Sequence, residues 1–394
     1  MRTGLAVIGA NYGDEGKGLV TDFLSCRMQE DCTVVRFNGG AQAGHTVVTA
    51  AGQRHVFSHF GAGSFSHCPT HLSQFFVVNP RLFVRELAEL QKLGLTPKVT
   101  IDARAFLSTP LDVLVNQAIE QKRGLSRHGS CGVGINETVT RCLRADHFRT
   151  QVQDLLNPYL LRQKLRRLAR DWLPVRLLEH GIASADTELE QMIDKIEPMI
   201  SVFIDECESI LENAELGFRP PQSKHIVFEG AQGLMLDEHR LDQYPHLTRS
   251  KTGLENVAFL CHRYGIDALK VIYVTRTYLT RHGAGPLSGE CGWHFHDSTN
   301  VPNPYQGELR FAPLNIENLA YSIDLDLKRG KYLFDNLSAN LAVTCLDQHP
   351  LPDLSAIQLP VCLCSHGPSR QDIDCSFSEK WQFSVVRPFQ ALPI

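Results

Sequence analysis

Short apolar runs punctuate the chain at intervals. "LAVIGA" (5–10), "CTVVRF" (32–37), "KVTIDA" (98–103), "HIVFEGA" (225–231) and "KVIYVTRT" (270–277) are rich in β-branched residues and bounded by turn formers. Between them Pro80–Leu93, Leu111–Lys122 and Glu188–Ala214 carry helical patterns. Strands alternating with helices predict an α/β protein with a large, mainly parallel central β-sheet and flanking helices. In such sheets ligands gather at the loops after the strand ends. The Arg- and Leu-rich stretch 159–178 predicts a peripheral helical subdomain with a solvated basic face. No internal repeat or low-complexity linker interrupts the pattern, so one body over 1–394 is expected, with a helical insertion at about 100–215.

Composition narrows the partners. The 394 residues carry a net charge of −4 and no basic block, which argues against nucleic acid. No apolar stretch approaches a membrane span, and the chain opens directly on a strand pattern without a cationic leader. A cytoplasmic protein is expected. Twelve cysteines are scattered singly, and the nearest pair, Cys362 and Cys364, flanks Leu363 in a strand-like run. Reduced thiols fit that spacing better than disulfides do.

Chemistry concentrates in two loops. "GANYGDEGKG" at 9–18 follows the first apolar run and has the makings of a phosphate cradle, with glycine N–H groups and a lysine. It departs from the ordinary P-loop in having Asn11 where a glycine belongs and Gly18 where a Ser or Thr belongs. It also carries Asp14 and Glu15, negative charges in a loop suited to a polyanion. "RFNGGAQAGHTVV" at 36–48 follows the second run and presents His45 among small residues. Together the loops offer a cradle, a carboxylate and a donor to developing phosphate charge. "HFH" at 294–296 has the spacing of two zinc ligands on a strand, but no third ligand stands at a telling distance.

"GDEGKG" at 13–18, "GGAQAGHT" at 39–46, "FEGAQGLMLD" at 228–237, "YPHLT" at 244–248 and "TRHGAGPLSGE" at 280–290 resemble, in order and spacing, the adenylosuccinate synthetase family. The resemblance extends to "CSHGPSRQDI" at 364–373. It implies a P-loop-related fold and a GTP-dependent ligase of purine nucleotide biosynthesis. Such an enzyme phosphorylates the 6-oxo group of inosine monophosphate, and the amine of aspartate then displaces the phosphate. A carboxylate in the phosphate loop has a use there, because loss of the purine N1 proton makes the 6-oxygen a nucleophile.

By resemblance, Asp14 is that general base and a ligand to one Mg2+ per active site, with the Gly44 carbonyl a second ligand. Lys17 offsets phosphate charge, and His45 donates to the bridging oxygen. Gly13, Glu15, Gly16, Gly18, Gly44 and Thr46 line the nucleotide. Gln232 lies near the 6-oxo group, while Thr248, Gln42 and Ser130 bind substrate phosphate. Arg141 reaches across a homodimer to the neighbour's nucleotide. A nucleotide-base and acceptor part is expected at about 290–394, where Asp347 accepts from guanine and Ser365, Gly367 and Pro368 form the facing wall. ATP is a possible alternative donor.

The departures are informative. Cys345 in "TCLD" replaces the family's lysine along the base. Where the family has "TTGRRRR" to clamp aspartate, this chain has "NPYQGELRF" at 303–311, with Arg310 kept and Glu308 added. Arginine forks are the economical partners of a dicarboxylate. The activation half is intact and the acceptor half altered, unless Arg249, Arg276 or Arg281 compensates. Three readings follow: adenylosuccinate formation, a paralogous ligase with another purine nucleotide or amine, or a nucleotide-binding regulatory protein without synthesis.

Overall fold

The computed structural model describes residues 2–126, 128–182, 195–295 and 307–375. The early strands are β1 (Thr3–Gly9), β2 (Cys32–Arg36), β3 (His45–Val48), β4 (Arg54–Phe57), β5 (Thr70–Leu72), β6 (Val77–Val78), β7 (Val99–Asp102) and β8 (Phe106–Leu107). After a helical stretch come β9 (Glu215–Gly217), β10 (His225–Gly233), β11 (Ala268–Arg276), β12 (Tyr278–Arg281) and β13 (Arg310–Pro313). The last are β14 (Leu337–Thr344), β15 (Val361–Ser365) and β16 (Ile373–Asp374). Ten of these form one sheet in the order β16-β15-β14-β11-β1-β10-β2-β5-β7-β9. Its ladders are parallel except for β15–β16 at the edge. All five apolar runs read from the sequence become strands of it.

Parallel strands covered on both faces bury every residue. Leu5 and Val7 of β1 point to one side, with Val34, Val227, Ile272 and Val274, against helix α1 (Lys17–Met28). Ala6 and Ile8 point to the other, with Val35, Phe228, Val271 and Tyr273, under helices Leu254–Tyr264 and Ile316–Leu333. This two-sided burial explains why the strand sequences show no alternation.

The helical stretch between β8 and β9 shares a third core with the β5–β7 end of the sheet, centred on Phe83, Leu107, Leu165, Trp172 and Phe203. Helix Pro110–Arg123 starts at Thr109, whose N–H donates to Asp112 Oδ2 at 2.8 Å. The helix expected over Glu188–Ala214 runs Ile196–Asn213, its first residues lying outside the described ones. The basic face of 159–178 is laced with ion pairs, Arg166–Glu197, Arg170–Asp171 and Arg176–Glu137, which leaves little net positive field. All twelve cysteines carry free thiols. Among the described residues no helix is long and apolar enough to cross a membrane.

Candidate active site

The loop after β1 turns through Gly13 and Gly16, at φ 115° and 92°, conformations that a side chain resists. Gly16 caps α1 with no side-chain hydrogen bond and no acid in the first turn, so the helix N-terminus is left open to an anion. Within the loop Glu15 behaves as an internal anion. Its Oε1 accepts from the N–H groups of Asn11 at 2.9 Å and Gly13 at 2.7 Å. Its Oε2 lies 2.9 Å from Lys17 Nζ, which also donates to Gly13 O at 2.7 Å. Both side chains are buried. Lys17, expected to meet phosphate, is thus held under the loop by the residue expected beside it.

The second loop packs directly on α1. A Cβ on Gly18 would lie 2.9 Å from His45 Cβ and 3.0 Å from Thr46 O. The hydroxyl residue of an ordinary P-loop has no room there, which is why glycine follows Lys17. His45 is buried at the start of β3, with Nδ1 2.7 Å from Glu229 Oε1 and Nε2 without a partner. Glu229 Oε2 also accepts from Ala62 N at 3.2 Å and faces Arg36 NH1 at 3.5 Å. Burial, reinforced by Arg36 and Lys17, lowers the His45 pKa to about 4 against the pull of Glu229, so the imidazole is neutral in this state. Burial alone would raise the Glu229 carboxyl, but the hydrogen bond from His45, the Arg36 guanidinium and the Ala62 N–H hold it below its ordinary range.

Gln232 sits over the phosphate loop. It occurs at the irregular end of β10 at φ 63°, and its Cα would be 3.3 Å from a Cβ on Gly13. Gly13, the residue before Asp14, therefore packs against the glutamine expected at the 6-oxo group. The Asp14 carboxylate is one quarter exposed and lies 3.4 Å from His282 Nε2, while Arg276 Nε donates to its backbone carbonyl. Asp14 and the exposed Gly44 offer carboxylate and carbonyl oxygens, the donors of a Mg2+ that keeps waters and substrate phosphates. The residues fit that ion.

Gln42 approaches the 128–134 loop, its carbonyl near Cys131 Sγ at 4.0 Å, and its buried Oε1 has no partner. Ser130 accepts from Asn116 Nδ2 at 2.8 Å, and Thr248 N donates to Leu236 O. Opposite, Thr344 Oγ1 at the end of β14 donates to Glu15 O at 2.8 Å and ties the base loop to the phosphate loop. Asp347 is exposed on the following turn, and Ser365 accepts from Leu346 N, setting the loops after β14 and β15 side by side. Ser365 Oγ donates to Gly367 O at 2.7 Å, and exposed Pro368 follows in the same turn.

Two arginine expectations need correction. Arg141 is fully buried in its own subunit, forked onto Asp112 at 2.8 and 2.7 Å and bonded to Phe148 O, Leu107 O and Thr150 Oγ1. A guanidinium so enclosed holds helix Ile135–Arg144 in place and does not reach a neighbouring chain. Arg310 donates to Glu290 Oε2 at 2.7 Å and to Gly283 O and Gly285 O. Across the β12–β13 ladder it faces Arg281, which donates to Gln243 Oε1, Pro286 O and His246 O and lies over the Tyr12 ring. Both guanidinium groups brace the 282–286 loop. Arg249 NH1 donates to Thr140 Oγ1. Positions 303–306 and His296 of the "HFH" pair lie outside the described residues.

Glu229 and Arg36 were not singled out in the sequence, although each is a charge inside an otherwise apolar strand run. His282, between Arg281 and Gly283, gave no such signal.

Comparison with known proteins places the chain in a family. The family model for adenylosuccinate synthetase matches residues 6–301. The adenylosuccinate synthetase of Thermus thermophilus is 33% identical over 337 residues, 82% of this chain and 76% of that protein. That of Borrelia duttonii is 30% identical over 348 residues, 87% and 76% of the two chains. In structure the chain superposes on the fully ligated enzyme of Plasmodium falciparum with a TM-score of 0.64 at 18% identity, covering 94% and 98% of the chains. It superposes on the cyanophage S-2L succinoaminodeoxyadenylate synthetase, solved with dGMP and dATP, with a TM-score of 0.60 at 17% identity, covering 95% and 96%. The chain belongs to the adenylosuccinate synthetase family, C–N ligases of purine biosynthesis.

Proposed function

We propose that this protein uses a nucleoside triphosphate to phosphorylate the 6-oxo group of a purine nucleotide, and then joins that carbon to an amine held without a dicarboxylate clamp. GTP as donor, inosine monophosphate as acceptor nucleotide and a cytoplasmic homodimer complete the reading by family resemblance. Asp14, next in the chain to the Gly13 that packs on Gln232, takes the N1 proton, and the 6-oxygen attacks the γ-phosphorus. The Nε2 of His45 faces the departing bridging oxygen, and the entering amine expels phosphate. Bound Mg2+, held by Asp14 and Gly44, would disperse charge on the phosphates.

The amine assignment rests on one observation: Arg310, the arginine kept in the acceptor loop, has both terminal nitrogens engaged by Glu290 and two carbonyls of its own chain, which leaves only its buried Nε without a partner among the described residues. Displacing those partners to bind a substrate carboxylate would exchange one charge-assisted bond for another, with little net gain. A second reading, a different purine nucleotide with an adenine donor, is favoured by the cyanophage relative, whose solved complex holds dGMP and dATP. A screen pairing GTP or ATP with purine monophosphates and amines, read by mass spectrometry, tests both. A C–N product with an amine other than aspartate is expected. Efficient adenylosuccinate formation alone would refute the amine assignment.

A further inference from the structure

The turn expected to read the donor base is backed by an aromatic wall. Cys345 stands at φ 64°, and its carbonyl accepts from Thr277 Oγ1 and from the N–H groups of Gln348 and His349. The chain therefore turns back on itself, with Asp347 exposed within the turn and His349 closing it. The His349 ring lies 5.1 Å from the Trp293 indole at an interplanar angle of 38°. Phe295 lies edge-on to Trp293 at 5.6 Å and stacks on Tyr278 at 4.0 Å. Tyr278 is buried, and its hydroxyl donates to Gln348 Oε1 at 2.6 Å, which locks wall and turn together. Trp293 and His349 are half-buried.

We infer that Trp293 and His349 form the stacking surface for the purine base of the donor nucleotide, with Asp347 exposed in the same turn as His349. The inference rests on the ligase reading above. Cys345 is too short to lie along a base, and a planar heterocycle whose N–H donors reach Asp347 is the ligand that an aromatic wall next to an exposed carboxylate fits. Base–aromatic stacking carries enough energy to dominate such a site and tolerates any purine. Selectivity between guanine and adenine then falls mainly on Asp347.

Trp293→Ala and His349→Ala are expected to raise the KM for the donor nucleotide about tenfold, near 1.4 kcal/mol. The KM for the purine monophosphate and kcat at saturating donor should hold within about twofold. Trp293→Phe, which keeps an aromatic face and serves if the Ala variant folds poorly, should stay within about threefold of the wild type. Titration with GDP should quench the indole fluorescence of the wild type, and Trp293→Phe should lose that quench. The fluorescence arm needs no turnover, so it separates failure of the wall from failure of the ligase reading. An unchanged donor KM without quenching would overturn the assignment. A rise in amine KM alone would also overturn it and place the wall in the acceptor site.

Discussion

Glu15 and Lys17 meet at 2.9 Å inside the phosphate loop, both buried, with the carboxylate also taking the N–H groups of Asn11 and Gly13. The loop is shaped around an anion of its own. Removing one partner of such a pair leaves an uncompensated buried charge. Glu15→Gln should therefore lower stability by about 3 kcal/mol, seen as a fall in Tm, and raise the donor KM. An unchanged Tm would show that the pair does not hold the loop.

Asp14 is the partly exposed carboxylate of that loop. Asp14→Asn keeps the shape and removes the proton acceptor, so kcat should fall by roughly two orders of magnitude or more while nucleotide affinity changes less. Near wild-type turnover would remove Asp14 from proton transfer.

Asp22, on α1, is buried 3.2 Å from Arg370 Nε of the base loop. Burial, opposed by Arg370, raises its pKa to about 7. The folded state then binds a proton that the unfolded chain has released, so this group's contribution to stability falls as pH rises from 4 to 7. Tm against pH for Asp22→Asn should lack that part of the decline, and the wild-type minus variant difference should become more negative toward pH 7. A difference that is flat across the window would contradict the shift.

The sheet was legible because fully buried parallel strands leave unbroken β-branched runs, and the phosphate loop because glycines and charges stand out after them. Glu229, which contacts both His45 and Arg36, was hidden inside such a run. The fate of Arg141 and Arg310 was not legible at all. A guanidinium that clamps substrate and one that fastens its own backbone are the same letter, and only the positions of Asp112 and Glu290 distinguish them.

Those arginines set the next expectation. With Arg310 and Arg281 tied to the 282–286 loop, steady-state titration with aspartate, inosine monophosphate and GTP should fail to saturate below about 1 mM, since each lost decade needs only ~1.4 kcal/mol. Arg310→Ala should loosen that loop and lower kcat with whichever amine is used. Saturation in the micromolar range, unaffected by Arg310→Ala, would contradict this account.

Activation of the 6-oxo group before C–N bond formation is the central claim, and isotope transfer tests it most directly. Purine nucleotide carrying 18O at the 6-oxo position is turned over with donor triphosphate and the amine selected by the screen, and the released phosphate is analysed by mass spectrometry. One 18O per phosphate is predicted, because the 6-oxygen leaves with the phosphoryl group. Unlabelled phosphate, with the label retained in the purine, would contradict the activation chemistry.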